Sequence, residues 1–163
     1  MRLVYLTVLA CAASLAVTTA AALARPDVVL QLSGAVVAKA ANGAIRLTPV
    51  DATTKLKTGE VVRYTISAYN KGSDPALHLA PVGKIPDGTA YVGGSATNGT
   101  AKLEFSVDGG KTWSAKPMVT VPSATGPKLQ PADPSSFTAV RWTTEKPLAP
   151  KGSARYSYEV RVK

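Results

Sequence analysis

The stretch Val61-Val62-Arg63-Tyr64-Thr65-Ile66-Ser67-Ala68-Tyr69 places apolar and polar side chains in alternation. Val62, Tyr64, Ile66 and Ala68 fall on one face; Arg63, Thr65 and Ser67 fall on the other. A period of two is that of an extended strand with one face in a core and the other in water. β-Branched and aromatic residues, which suit a pleated, half-buried surface, make up most of it. The C-terminal segment repeats the pattern: Ala154, Tyr156, Tyr158, Val160 and Val162 alternate with Arg155, Ser157, Glu159 and Arg161. Both segments are expected to be central strands that form the core.

Weaker strand signals flank these two. Residues 28–32 and 45–47 read as first strands, split by the turn Asn42-Gly43. Residues 76–80 read as a strand entered through Asn70-Lys71-Gly72-Ser73-Asp74-Pro75, and 89–92 as a short one after Pro86-Asp87-Gly88. Leu103, Phe105 and Val107 alternate with Lys102, Glu104 and Ser106, which puts Glu104 on a polar face. Glu159 falls on a polar face in the same way. Pro117 breaks 116–121 and marks it as an edge strand. Residues 137–143 carry Val140 and Trp142 inward, and 122–136, dense in proline, serine and alanine, read as a long connection. Past residue 24 no segment has a helical period. The pattern predicts one all-β domain over residues 25–163, an antiparallel immunoglobulin-like β-sandwich of about seven to nine strands.

The first 24 residues differ. Met1-Arg2 is followed by an apolar run, from Leu3-Val4-Tyr5-Leu6 through Leu15-Ala16-Val17, that ends in Ala22-Leu23-Ala24 before Arg25-Pro26. A basic start, an apolar centre and an A-x-A end are the layout of a cleavable secretory signal helix. The Ala20-Ala21-Ala22 triplet offers a second cleavage site, and an uncleaved anchor is the alternative. Cys11, the sole cysteine, lies inside the run and reads as a small apolar residue of the signal rather than a lipidation site. The exported part would hold no disulfide and depend on its core alone.

Removing Arg2 from the 19 basic residues, against 10 acidic ones, leaves a net charge of +8 after Ala24. The cations are scattered, with no run of three and no interleaved aromatics, so nucleic acid is not an expected partner. The charge reads first as a solvated surface that keeps the protein soluble, with attraction to anionic envelope polymers or lipid head groups as the functional alternative. His78 is the single histidine and reads as a solvent-facing or edge residue; with no other histidine or mature cysteine, a zinc site has no ligand set. There is no G-x-S-x-G elbow, and the carboxylates neither cluster nor form an evident pair. No catalytic, cofactor-binding or metal-binding residue is therefore assigned. Asn98-Gly99-Thr100 fits a glycosylation acceptor, and equally a hairpin turn before the strand at 102–107.

Ser106-Val107-Asp108-Gly109-Gly110-Lys111-Thr112-Trp113 matches the S-x-D-x-G-x-T-W pattern of the Asp-box, familiar from sialidases and related propellers. Physically the pattern describes a turn: Asp108 folds back onto turn amides, Gly109 and Gly110 supply positive φ, and Trp113 packs beside them. A single copy in so short a chain makes Asp108 a turn residue, with a glycoside hydrolase the least favoured reading.

Lys57-Thr58-Gly59-Glu60-Val61-Val62-Arg63-Tyr64-Thr65-Ile66, then Tyr69-Asn70-Lys71-Gly72-Ser73, resembles the P-G-D-x-V-x-Y-T-I-x-x-x-N-x-G core of a bacterial conserved-repeat family called domain of unknown function eleven. Ile85-Pro86-Asp87-Gly88-Thr89-Ala90-Tyr91-Val92 resembles its l-P-x-G-x-x-Y-v step. Arg141-Trp142, Leu148-Ala149-Pro150-Lys151-Gly152 and 156–162 resemble its closing pattern. The resemblance covers about residues 28–163 and is most like single-domain cyanobacterial members. Thr58 stands where the family has proline, and Gly83-Lys84 where it has an acidic residue. It implies an exported immunoglobulin-like sandwich, common in cell-surface proteins, with no family-wide site to carry over. The expectation is a non-enzymatic structural or protein-interaction module, periplasmic or extracellular, with an envelope protein or anionic envelope polymer as partner. Binding of envelope or extracellular glycans through Trp113 or Tyr69 is the alternative. Intact-mass measurement of the exported protein should show a chain beginning at Arg25 or within a few residues of it; a chain that keeps residues 1–24 contradicts the signal reading.

Overall fold

A computed structural model describes residues 25–163 apart from Asn98. The proposed signal helix, Cys11 and the asparagine of the Asn98 acceptor pattern lie outside the described residues. The described chain is all-β, with every strand pairing antiparallel. Ten strands follow one another: β1 Val28–Lys39, β2 Ile45–Val50, β3 Val61–Asn70, β4 Val82–Lys84, β5 Thr89–Tyr91, β6 Ala101–Ser106, β7 Met118–Val121, β8 Lys128–Pro131, β9 Ala139–Thr144 and β10 Ser153–Val162. They form a five-stranded sheet, β2-β1-β3-β10-β5, a three-stranded sheet, β4-β9-β6, and a β7-β8 ribbon.

The two alternating segments lie side by side at the centre of the large sheet, Tyr64 opposite Tyr158 and Val62 opposite Val160. Their apolar positions form one wall of the core; Val140 and Trp142 of β9 form the other, all three of Val62, Val140 and Trp142 fully buried. Face-to-face packing of two sheets over such a core is consistent with a β-sandwich. Trp142 packs against Tyr156 and Tyr158 with ring centroids 5.6 and 6.0 Å apart, and a second group joins Phe105, Phe137 and Tyr91. Buried polar tips find partners: Trp142 Nε1 donates to the Thr97 carbonyl, and the Tyr158 hydroxyl donates to the Lys84 carbonyl. Burial pushes the Tyr158 phenol well above its usual range. β4 can pass over the Tyr158 ring because residue 83 is glycine; a Cβ there would overlap the ring.

Several expectations need correction. Residues 76–80 are not a strand: Ala76 makes one isolated bridge to Leu148, and His78 has φ 51°. The edge of the small sheet is instead β4, whose Val-Gly-Lys sequence shows no alternation. The stretch 122–136 is not a plain connection, because Lys128–Pro131 folds back on β7 and Pro134–Ser136 forms a 3-10 turn capped by the Asp133 carboxylate. β1 and β2 run further than expected, to Lys39 and Val50. Glu104 does not face water: it is buried, paired with Arg141 at 2.8 Å and Lys102 at 3.0 Å. Arg141 first, and then Lys102, hold its carboxyl below the usual glutamate range.

Asn70 ends β3 with no exposure at all. Its Oδ1 accepts from the amides of Asp27 (3.2 Å) and Gly72 (3.0 Å), and its Nδ2 donates to the carbonyls of Asp74 (2.7 Å) and Leu148 (3.0 Å). One amide thereby ties the start of β1 and the segment before β10 to the turn after β3. Asn70→Ala leaves these backbone groups without partners and should cost at least about 2 kcal/mol of unfolding free energy in urea titrations; an unchanged midpoint would show that water replaces the side chain without loss.

Candidate functional site

The most distinctive surface lies where the small sheet stops short of the large one. The register puts Leu30 opposite Ala68 and Leu32 opposite Ile66, so both leucines share the core-facing side of the large sheet. Ala68 and Ile66 are 1% and 5% exposed, yet Leu30 and Leu32 are 50% and 61% exposed. At Leu30 and Leu32 burial along the inner face therefore stops at β3, while Val28 and Val36 at either end of β1 still pack against the core. The result is a groove of about 460 Å³ between β1 and β4, walled by Leu30, Leu32, Tyr64, Val82, Pro86 and Tyr158, with Lys84 at its rim.

The β4 wall is an open sheet edge, with β9 its sole strand neighbour among the described residues. The Trp142 amide donates to the Pro81 carbonyl and the Ile85 amide to the Thr138 carbonyl, at 3.1 and 2.9 Å. Alternation along an antiparallel ladder then turns the backbone groups of Val82 and Lys84 away from β9. The Lys84 carbonyl takes the Tyr158 hydroxyl, which leaves both Val82 groups and the Lys84 amide on the groove side. An apolar floor beside unpaired backbone groups is chemistry suited to an incoming strand.

The other side of the large sheet is polar over β3, β10 and the middle of β1, with Val29, Val37, Ile45 and Leu47 on the same face toward β2 and the strand ends. Ser33, Thr65 and Ser157 stand in one row across β1, β3 and β10, and Gln31, Ser67 and Arg155 in the next. Arg63, in the row on the other flank of Ser33, Thr65 and Ser157, pairs with Glu159 at 2.7 Å. Tyr69, expected to be an exposed aromatic, is exposed at one end of this face. Trp113, the other such aromatic, is half-buried, because the Arg141 guanidinium lies 4.5 Å above its ring.

The turn at 106–113 forms as its residue types dictate. One Asp108 oxygen accepts from the amides of Lys111 and Thr112 at 3.0 and 2.9 Å and from the Ser106 hydroxyl; the other accepts from Thr112 Oγ1 at 2.6 Å. Gly109 and Gly110 take φ of 75° and 91°. These bonds, with those from Thr112 the strongest, hold the Asp108 carboxyl far below its usual range. The turn folds Trp113 onto Arg141, which in turn grips Glu104. His78 is exposed in the irregular run after Ala76. Asp51 and Asp133 also bond to hydroxyls and amides of their own turns. Among the described residues no three histidine, cysteine or carboxylate side chains gather as a metal site would require. The groove was invisible to residue-type reasoning, because an exposed Leu30-x-Leu32 has the same pattern as a buried one.

The fold and surfaces thus define an antiparallel all-β protein with an open edge. In comparisons with known proteins, the chain matches no family model, no curated protein and no solved structure.

Because the folded-state pKa of Asp108 is depressed, its carboxylate stabilises the fold above the ordinary value of 3.8, and that contribution is lost as pH falls below it. Asp108→Asn should melt below the parent protein at pH 7, with the difference narrowing as the pH is taken below 3.8; a difference constant from pH 7 to acid would contradict this.

Proposed function

We propose that the protein is an exported, non-catalytic interaction module of the bacterial cell envelope, working in the periplasm or outside the cell. In this reading its immunoglobulin-like sandwich takes up an extended segment of a partner protein along β4. The observation that carries it is the groove, where Leu30, Leu32 and Val82 stand exposed beside outward-turned backbone groups. A strand laid there would pair with Val82 and Lys84 while burying every second side chain on the leucines. A lipid would cover the leucines and leave the backbone groups unpaired. Lys84 at the rim favours a partner segment with an acidic residue beside its apolar ones.

The apolar leader and A-x-A end of residues 1–24 support export, and the resemblance to the conserved-repeat family supports an envelope location. Against a hydrolase stands Asp108, whose two carboxylate oxygens are taken up by its own turn.

Replacing Leu32 with a photocrosslinking residue in the native exported protein should capture one envelope protein. Val82→Pro removes an outward N–H without touching the β9 ladder and should weaken that capture roughly tenfold. Failure to crosslink at Leu32, or capture indifferent to Val82→Pro, overturns strand uptake.

A further inference from the structure

We propose a second site on the opposite side of the large sheet, a binding face for an acidic polysaccharide that carries carboxylate groups on a hydroxyl-rich chain. It does not depend on the groove, which lies on the inner side of the same sheet.

Strand register builds the face. The hydroxyls of Ser33, Thr65 and Ser157 form one row, with the Gln31-Ser67-Arg155 row beside it and the Ala35-Arg63-Glu159 row on its other flank. Such rows recur about every 7 Å along the strands, and neighbouring strands stand about 4.8 Å apart. Between them lies a shallow groove of about 390 Å³, lined by Ser33, Thr65, Ser67, Ser157, Arg63 and Arg155, with Leu47 at its end. A hydroxyl both donates and accepts, so a row of them matches sugar hydroxyls in either orientation.

Charge selects the acidic member of that class. Lys39, Arg63, Arg155 and Arg161 all stand on this face by register, against one acidic residue, Glu159. Glu159 is committed to Arg63 through both Nε and Nη2. Arg155 is exposed and has no ion pair among the described residues, so its planar fork is free for a carboxylate. Nucleic acid fits poorly, since these three rows carry no aromatic side chain and Tyr69 stands one row beyond them, so no stacking platform exists. A neutral glycan would leave the cationic excess unused.

The test is calorimetric titration of the exported protein with oligogalacturonate in 0.15 M salt, beside dextran and a DNA duplex of equal charge. Saturable binding to oligogalacturonate, tighter than to DNA and absent with dextran, is expected. Arg155→Gln should weaken it roughly tenfold. The double variant Ser33→Ala with Thr65→Ala keeps the charge and should weaken it several-fold. Lys128→Gln, in the separate ribbon, should leave it unchanged. Absence of binding, DNA binding as tight as oligogalacturonate, or indifference to either face variant while circular dichroism shows an intact fold overturns the proposal.

Discussion

The small sheet is two strands narrower than the sheet it packs on, and this difference in width sets where apolar side chains of the inner face stay exposed. β9 lies over β3 and β10, which is why Val62, Tyr158, Val160, Val140 and Trp142 are all at most 1% exposed. β1 continues the same inner face with the same alternation but has no strand above it at Leu30 and Leu32. An apolar side chain left in water keeps the burial free energy that its pattern provides for, about 1.5–3 kcal/mol for a leucine. The same two leucines would stabilise the core of a wider sandwich and are left exposed in this one. β4, beside the gap with the backbone groups of Val82 and Lys84 turned away from β9, adds to this hydrophobic patch the hydrogen-bonding groups that an incoming strand would need.

The rest of the structure keeps that open side rigid. Gly83 lets β4 settle on the Tyr158 ring, and the Tyr158 hydroxyl fixes the Lys84 carbonyl from below. Asn70 clasps the start of β1, so the leucine-bearing strand enters from a fixed point. On the far side of the small sheet, Asp108 closes a turn that lays Trp113 over Arg141, and Arg141 neutralises buried Glu104. Buried charge is tolerated there because each partner is held in place. Polar side chains thus fix the turns and strand ends around the core, and an apolar opening remains between β1 and β4.

What the sequence revealed follows from which residues carry a period. β3, β10 and the inward Val140 and Trp142 of β9 were legible because alternation over six or more residues has one structural meaning. The turn at Asp108 was legible because its residue types dictate local hydrogen bonds. β4 was not, since a three-residue strand with a central glycine has no period to detect. β8 was hidden because Pro127 and Pro131 made its surroundings resemble a loop. Residues 76–80 misled in the other direction: Leu77 and Leu79 alternate, but His78 adopts a left-handed backbone and the chain bends. Glu104 was placed on the right face and in the wrong environment, because alternation reports faces and cannot report that a following hairpin covers one. The groove was beyond sequence reasoning for a related cause: the width of a facing sheet is a property of long-range pairing.

The central claim is that the open side of the sandwich is covered by a strand when the protein is in its envelope. Amide hydrogen exchange of residues 28–33 and 82–85, compared between the purified protein and the protein isolated with its envelope partners, tests it most directly. The account predicts that the Val82 and Lys84 amides exchange freely in the purified protein and become protected in the assembly, while the outer ribbon at 118–131 is unchanged. Equal exchange at 82–85 in both states would contradict it.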